Sequence, residues 1–328
     1  NASVGPPAPP NVRLPWGPAG CFVSETWRPE EVVKVANVEY GFAYHPYKGA
    51  NITLLMDVFF PPASDARGAR PAVVLIHGGG FIEGEREDEV VQAGLLAMRG
   101  YVVATVKYRR VPMLKTWLLW SAEPAVLAME DARAGVRFMR KKAAEWRVDA
   151  TRIAVGGESA GAIASLYYGY VRKNSDGSPA TEGESGNPGY SSVVNAVVSI
   201  SGAMVDRAFC AHVGAAPAFP PSLCLIPGPP ISPDLTPNVD AGSIPGIDMH
   251  GTADQVIPYA GGAEWASTMA AKGAPHSFLS VPGAGHTPKD ILFDPRQPYL
   301  VQWLTFLSGA LNLREAACPA RQEEPLLV

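Results

Sequence analysis

The chain has 328 residues, of which 47% are hydrophobic, and a formal net charge of -4. That apolar content is enough for a buried core, so the 33 glycines and 32 prolines mark turns and loops, not a disordered chain. Scattered lysines and arginines without interleaved aromatic platforms argue against a nucleic-acid partner, and no apolar run approaches the roughly 20 residues needed to span a bilayer.

In chain order, residues 1–10 form a proline-rich loose end. Residues 72–76 read as a buried strand that runs into the side-chain-poor sequence His77-Gly78-Gly79-Gly80. A helix over 90–98 stops at Gly100, and 101–107 is the next buried strand. Residues 111–124 include Trp117-Leu118-Leu119-Trp120 and read as an insertion. Pro124 then opens a long helix whose Ala125, Ala128, Met129, Ala132, Val136, Met139, Ala143 and Trp146 recur at helical spacing. Its other side, with Arg133, Arg137, Arg140, Lys141 and Lys142, reads as a solvated face. A strand ending at Val155-Gly156-Gly157 leads into Glu158-Ser159-Ala160-Gly161 and a helix over 160–170. Further strands are expected over 193–200, 245–249 and 277–281, and a last helix over 297–311. Residues 203–245, dense in proline and glycine, form a second insertion, and 321–328 carry no periodic pattern.

This alternation predicts an α/β fold, with a mostly parallel central sheet, helices on both faces and two cap-like insertions at 111–124 and 203–245. One domain spanning 1–328 is expected, because the chemistry-bearing pieces interleave along the chain and must share a sheet. In such a sheet the site lies at the carboxyl ends of the strands.

Gly157-Glu158-Ser159-Ala160-Gly161 has the form of a nucleophile elbow, a serine on a tight strand-to-helix turn with no room for flanking side chains. The glycine loop supplies amides that can converge on a developing oxyanion, and the expected donors are Gly79, Gly80 and Ala160. An acid and a histidine should follow, each on a loop after a strand. Asp254, after His250-Gly251-Thr252-Ala253, and His286, after Pro282-Gly283-Ala284-Gly285, fill those places. Asp248 is the competing acid, but it lies within a strand-like run. Of the six histidines, His77 is expected to shape the glycine loop and His250 to be packed and hydrogen-bonded. His276 is expected one residue before the next strand, at its wrong end, while His45 and His212 fall in irregular segments. Glu158 is expected to hydrogen-bond locally.

These blocks, together with Leu55 to Pro61, Gly100 to Val103, Tyr108-Arg109 and Glu130-Asp131-Ala132, resemble the α/β-hydrolase carboxylesterases. The pattern is closest to the Bacteroidetes-type feruloyl-esterase-like and hormone-sensitive-lipase-like branches. It departs from the lipase-like branch in Arg110-Val111-Pro112, where Leu-Ala-Pro is usual after Tyr-Arg, and in Ala162, where a further glycine is common. The resemblance implies a serine esterase acting through an acyl-enzyme, without a cofactor or metal, on a small-molecule or carbohydrate-linked ester. A formamidase or a peptidase using the same three residues is the alternative within enzymes. A non-catalytic hydrolase-fold binding protein is the alternative from another class.

Four cysteines, Cys21, Cys210, Cys224 and Cys318, show no metal-ligand spacing. Of the three possible pairings, Cys210 with Cys224 and Cys21 with Cys318 is preferred, and four free thiols in a cytosolic enzyme is the other reading. The sequons at Asn1 and Asn51 fit a secretory route, and with the cysteines they lead to an expected location outside the cell or in the secretory lumen.

Overall fold

The computed structural model describes residues 22–112, 123–172, 181–203 and 235–313. Eight strands make one sheet: β1 (Val33–His45), β2 (Ala50–Phe60), β3 (Arg70–Ile76), β4 (Val102–Val106), β5 (Val148–Glu158), β6 (Ala196–Ile200), β7 (Gly246–Gly251) and β8 (His276–Val281). Their spatial order is β1-β2-β4-β3-β5-β6-β7-β8. β2 pairs antiparallel with both neighbours, and every pairing from β4 to β8 is parallel. The helices are α1 (Val90–Ala97), α2 (Glu123–Lys141), α3 (Ala143–Trp146), α4 (Ala160–Tyr170), α5 (Tyr259–Ala271), α6 (Lys289–Leu292) and α7 (Pro298–Ala310).

The two-residue period of a strand decides what each face buries. In β3, Ala72, Val74 and Ile76 join one apolar cluster with Ala128, Ala132 and Val136 of α2 and Tyr167 of α4. Val73 and Leu75 point the other way, to Leu96 of α1 and Trp303, Leu304 and Leu307 of α7. A strand buried on both faces reads as continuous Val and Ile, as residues 72–76 do. Each such side chain taken fully out of water contributes about 1.5–3 kcal/mol.

Several expectations need correction. The long helix breaks at Lys142, so Ala143 and Trp146 sit on the separate short α3. Arg133 and Arg137 on α2 are buried, not solvated. The segment 181–193 returns across that face: Arg133 donates to the Thr181 carbonyl, and Arg137 donates to the carbonyls of Gly186 at 2.9 Å and Glu182 at 2.8 Å. The strand expected from 193 begins at Ala196. His45 ends β1 and His276 opens β8, so both lie within strands.

The central parts of both expected insertions, His212, all four cysteines and Asn1 lie outside the described residues. Asn51 is exposed near the start of β2. Among the described residues no helix is long and apolar enough to cross a membrane.

Candidate active site

Four loops leave the carboxyl ends of β3, β5, β7 and β8, and each carries one part of the site. Ser159 follows β5 directly and caps α4 with φ 51° and ψ -118°. Such a backbone costs a non-glycine residue about 1–3 kcal/mol, which the surrounding packing must supply. The flanking glycines show how tight the turn is: a Cβ on Gly157 would run into the Ile76 carbonyl and the backbone of Gly161, and a Cβ on Gly161 into the carbonyls of Ile76 and His77. The Ser159 amide donates to the Ile200 carbonyl at 2.9 Å, which holds the elbow to β6.

His286, on the loop after β8, places Nε2 2.9 Å from Ser159 Oγ, and its Nδ1 lies 2.8 Å from Asp254 Oδ2. Asp254 is buried on the loop after β7. Its Oδ1 accepts the amides of Val256 at 2.9 Å and Ile257 at 3.0 Å, which fixes the carboxylate plane. Burial alone would raise this carboxyl. The hydrogen bonds and charges of His250 and His286 outweigh it and hold Asp254 far below the usual carboxylate range. Asp248, the competing acid, is committed elsewhere, within β7 and 2.6 Å from His276 Nε2.

His250 does more than pack. Its Nε2 faces two acceptors, the Ile257 carbonyl at 2.9 Å and Asp254 Oδ2 at 3.3 Å, so that nitrogen carries the proton and the ring helps to hold the acid.

The glycine loop turns sharply beside the elbow. Gly79 and Gly80 have φ of 98° and 58°, and Gly78 lies so close to the elbow that an added Cβ would be 3.4 Å from the Ser159 Cβ. Among the described residues the amides of Gly79, Gly80 and Ala160 have no backbone acceptor, as donors to a ligand oxygen must. Buried His77 donates from Nδ1 to the Gly78 carbonyl at 2.8 Å and stacks on Tyr108 at 4.3 Å. Burial lowers its imidazole from the ordinary range, consistent with a neutral ring that shapes the loop. The Tyr108 hydroxyl lies 3.3 Å from both the His77 and Gly78 carbonyls and supports the turn from beneath. Arg109, the next residue, is locked to Asp131 at 2.9 Å and Glu130 at 3.1 Å, so the Tyr-Arg and Glu-Asp blocks act together as a buried brace.

Two contacts lie beyond local sequence reasoning. Ser201, buried just after β6, accepts the Thr287 amide at 3.0 Å and anchors the histidine loop. Glu158 does not bond locally: its partner is Lys289, 131 residues away, at 2.9 Å. A short apolar strand ending in Ser-Gly is the only signal for the first contact, and none marks the second. Among the described residues no group of histidines, cysteines and carboxylates is arranged to hold a metal ion.

A nucleophile elbow, a glycine loop and a histidine–carboxylate pair gathered at the strand ends of this sheet order define the α/β-hydrolase class, and this chain has that fold. It is similar to carboxylesterases: the BD-FAE family pattern matches residues 56–218. Its sequence is 32% identical over 124 residues to Carboxylesterase NlhH of Mycobacterium tuberculosis, a match covering 37% of this chain and 35% of that protein. The chain thus spans about a third of the length of that curated relative. Among solved structures, a truncated carbohydrate esterase from gut microbiota superposes with a TM-score of 0.64 at 22% identity, covering 88% of this chain and 98% of that one. The propionate-bound esterase Est2 of the Planctomycetes species Thermogutta terrifontis follows with a TM-score of 0.58 at 22% identity, covering 87% and 95%.

Proposed function

We propose that the protein is a serine carboxylesterase in which Ser159 is the nucleophile, His286 the general base and acid, and Asp254 the group that orients the base. The observation that carries this reading is the continuous chain from Ser159 Oγ to His286 Nε2 at 2.9 Å and from His286 Nδ1 to Asp254 Oδ2 at 2.8 Å. As the serine oxygen attacks the ester carbonyl, its proton passes to His286 Nε2 and negative charge develops on the carbonyl oxygen. The amides of Gly79, Gly80 and Ala160 stabilise that charge, each worth about 2.7–4 kcal/mol if it behaves as measured oxyanion donors do. Collapse returns the proton to the departing alcohol and leaves an acyl-serine, which water, deprotonated by His286, then hydrolyses. Asp254 stays ionised throughout, because its two histidine neighbours and two amides favour the charged form.

The likeness to a carbohydrate esterase and to a propionate-binding esterase supports small-molecule or carbohydrate-linked esters as the substrate class. No cofactor enters the scheme. The Ser159→Ala variant should keep the fold by circular dichroism while losing at least about 1000-fold in kcat on a short p-nitrophenyl ester, together with all labelling by an organophosphonate. Labelling that persists in the variant overturns the assignment of the nucleophile.

A further inference from the structure

The loop that carries His286 is tied down through the Ala284 carbonyl, which accepts the Ala253 amide at 2.9 Å, and through the amides of Gly283 and Thr287, which donate to Thr252 Oγ1 at 2.8 Å and Ser201 Oγ at 3.0 Å. A charged side chain just beyond it adds a further tie. Three residues beyond His286, the Lys289 ammonium lies 2.9 and 2.8 Å from the two carboxylate oxygens of Glu158 and donates to the Asp88 carbonyl at 3.2 Å. These partners belong to different parts of the site. Glu158 is the last residue of β5 and directly precedes Ser159, and its Cγ lies 3.5 Å from where a Cβ on Gly78 would stand. Asp88 lies in the 3-10 helix Arg86–Glu89 that follows the glycine loop. One ammonium therefore meets the elbow, the flank of the glycine loop and the histidine loop at once.

The surroundings make this contact stiff. Glu158 is buried to 7% exposure, and its neighbour Glu89 to 1%. Burial, followed by the charge of Glu158, pushes the Glu89 carboxyl well above the usual range. Of the two carboxyls, Glu158 is the one whose oxygens lie within ion-pair distance of the Lys289 ammonium. Removing Lys289 would leave Glu158 a buried charge without its counter-ion, which is the costly way to break such a pair.

We propose that Lys289 is a positioning residue of the esterase, clamping the His286 loop to the residue before Ser159 so that base and nucleophile keep their separation. The proposal rests on the Ser159–His286–Asp254 reading above. Its role is to set distance, and a displacement of about 1 Å between reacting groups typically slows chemistry by up to 100-fold without weakening substrate binding.

The test uses the full chain and a p-nitrophenyl ester, with Lys289→Met, Glu158→Gln, the double variant and Lys289→Arg measured beside wild type and Ser159→Ala. Lys289→Met and Glu158→Gln should each lower kcat and the phosphonylation rate of Ser159 by about 10–100-fold, with KM within about twofold of wild type. The double variant should be no slower than the worse single variant, because both remove one interaction. Lys289→Arg, which keeps the charge, should recover most of the rate. Single-variant rates within about twofold of wild type, or losses that multiply in the double variant, overturn the clamp. Should Lys289→Met fail to fold, Glu158→Gln and Lys289→Arg decide the matter by the same criteria. Activity surviving in Ser159→Ala would instead overturn the underlying triad, a separate outcome from an unaffected Lys289→Met.

Discussion

Replacing Asp254 by asparagine changes one oxygen to an amide nitrogen and almost nothing in volume, so its effect can be worked out from the contacts. Oδ1 accepts the Val256 and Ile257 amides at 2.9 and 3.0 Å, while Oδ2 faces His286 and His250. Two backbone donors require an acceptor, so the asparagine oxygen must take the Oδ1 place and its NH2 must point at the two rings. His286 then accepts at Nδ1 and carries its proton on Nε2, where it can no longer take the one from Ser159. A wrong tautomer of this kind lowers kcat by about 10,000-fold, roughly 5.5 kcal/mol of barrier. Asp248→Asn, which disrupts the pair that Asp248 of β7 makes with His276 of β8, should lower stability and leave kcat within about tenfold.

The same substitution has a pH signature. A carboxyl held low in the folded state contributes stability that is fully present above its unfolded value, about 3.9, and is lost as pH falls through the folded value. Asp254 is held far below the ordinary range, so wild type should shed this contribution only in strong acid, below about pH 4, whereas Asp254→Asn has none to shed. Steady-state hydrolysis of a p-nitrophenyl ester and an acid titration followed by circular dichroism measure the two effects. If Asp254→Asn retains kcat within about tenfold while Asp248→Asn loses it, the acid has been assigned to the wrong residue.

Two further outcomes are expected. Ser201→Ala removes the acceptor of the Thr287 amide and loosens the histidine loop, so kcat should fall about 3–30-fold with a stability loss of about 1 kcal/mol, read from ester turnover and urea melts. Trp303, 1% exposed and packed against Phe293, should cost about 3–5 kcal/mol when replaced by alanine. Trp303→Phe should cost far less, because it keeps the ring packing and removes a buried N–H that has no partner among the described residues. Thermal melts separate the two variants.

What could be read from the chain were features that local chemistry imposes. Gly157 and Gly161 are glycine because Ile76 and the turn itself leave no space for a Cβ, and that requirement is visible as a spacing in the sequence. The bounds of α4 follow from the same turn. β3 and β4 were legible because both faces are buried, so nearly every residue is apolar. β1 was not: it lies at the sheet edge with Phe42 and Tyr44 exposed, and its pattern carries no inward run. α5 was hidden by Gly261 and Gly262, poor helix formers, and a Cβ on Gly262 would strike the His250 ring. The burial of Arg133 and Arg137, the anchor at Ser201 and the bond from Lys289 to Glu158 depend on partners 45 to 131 residues away. Helical or strand periodicity describes how one segment repeats and is blind to which other segment comes to cover it.

Ser159 and the histidine it meets are 127 residues apart in the chain. A polypeptide emerging from the ribosome therefore carries the residues of its elbow and glycine loop well before those of β8 are made. If His286 is the base proposed above, the serine lacks it until β8 docks beside β7 and brings the histidine within 2.9 Å. Under the proposed mechanism, turnover therefore reports that β8 has docked beside β7.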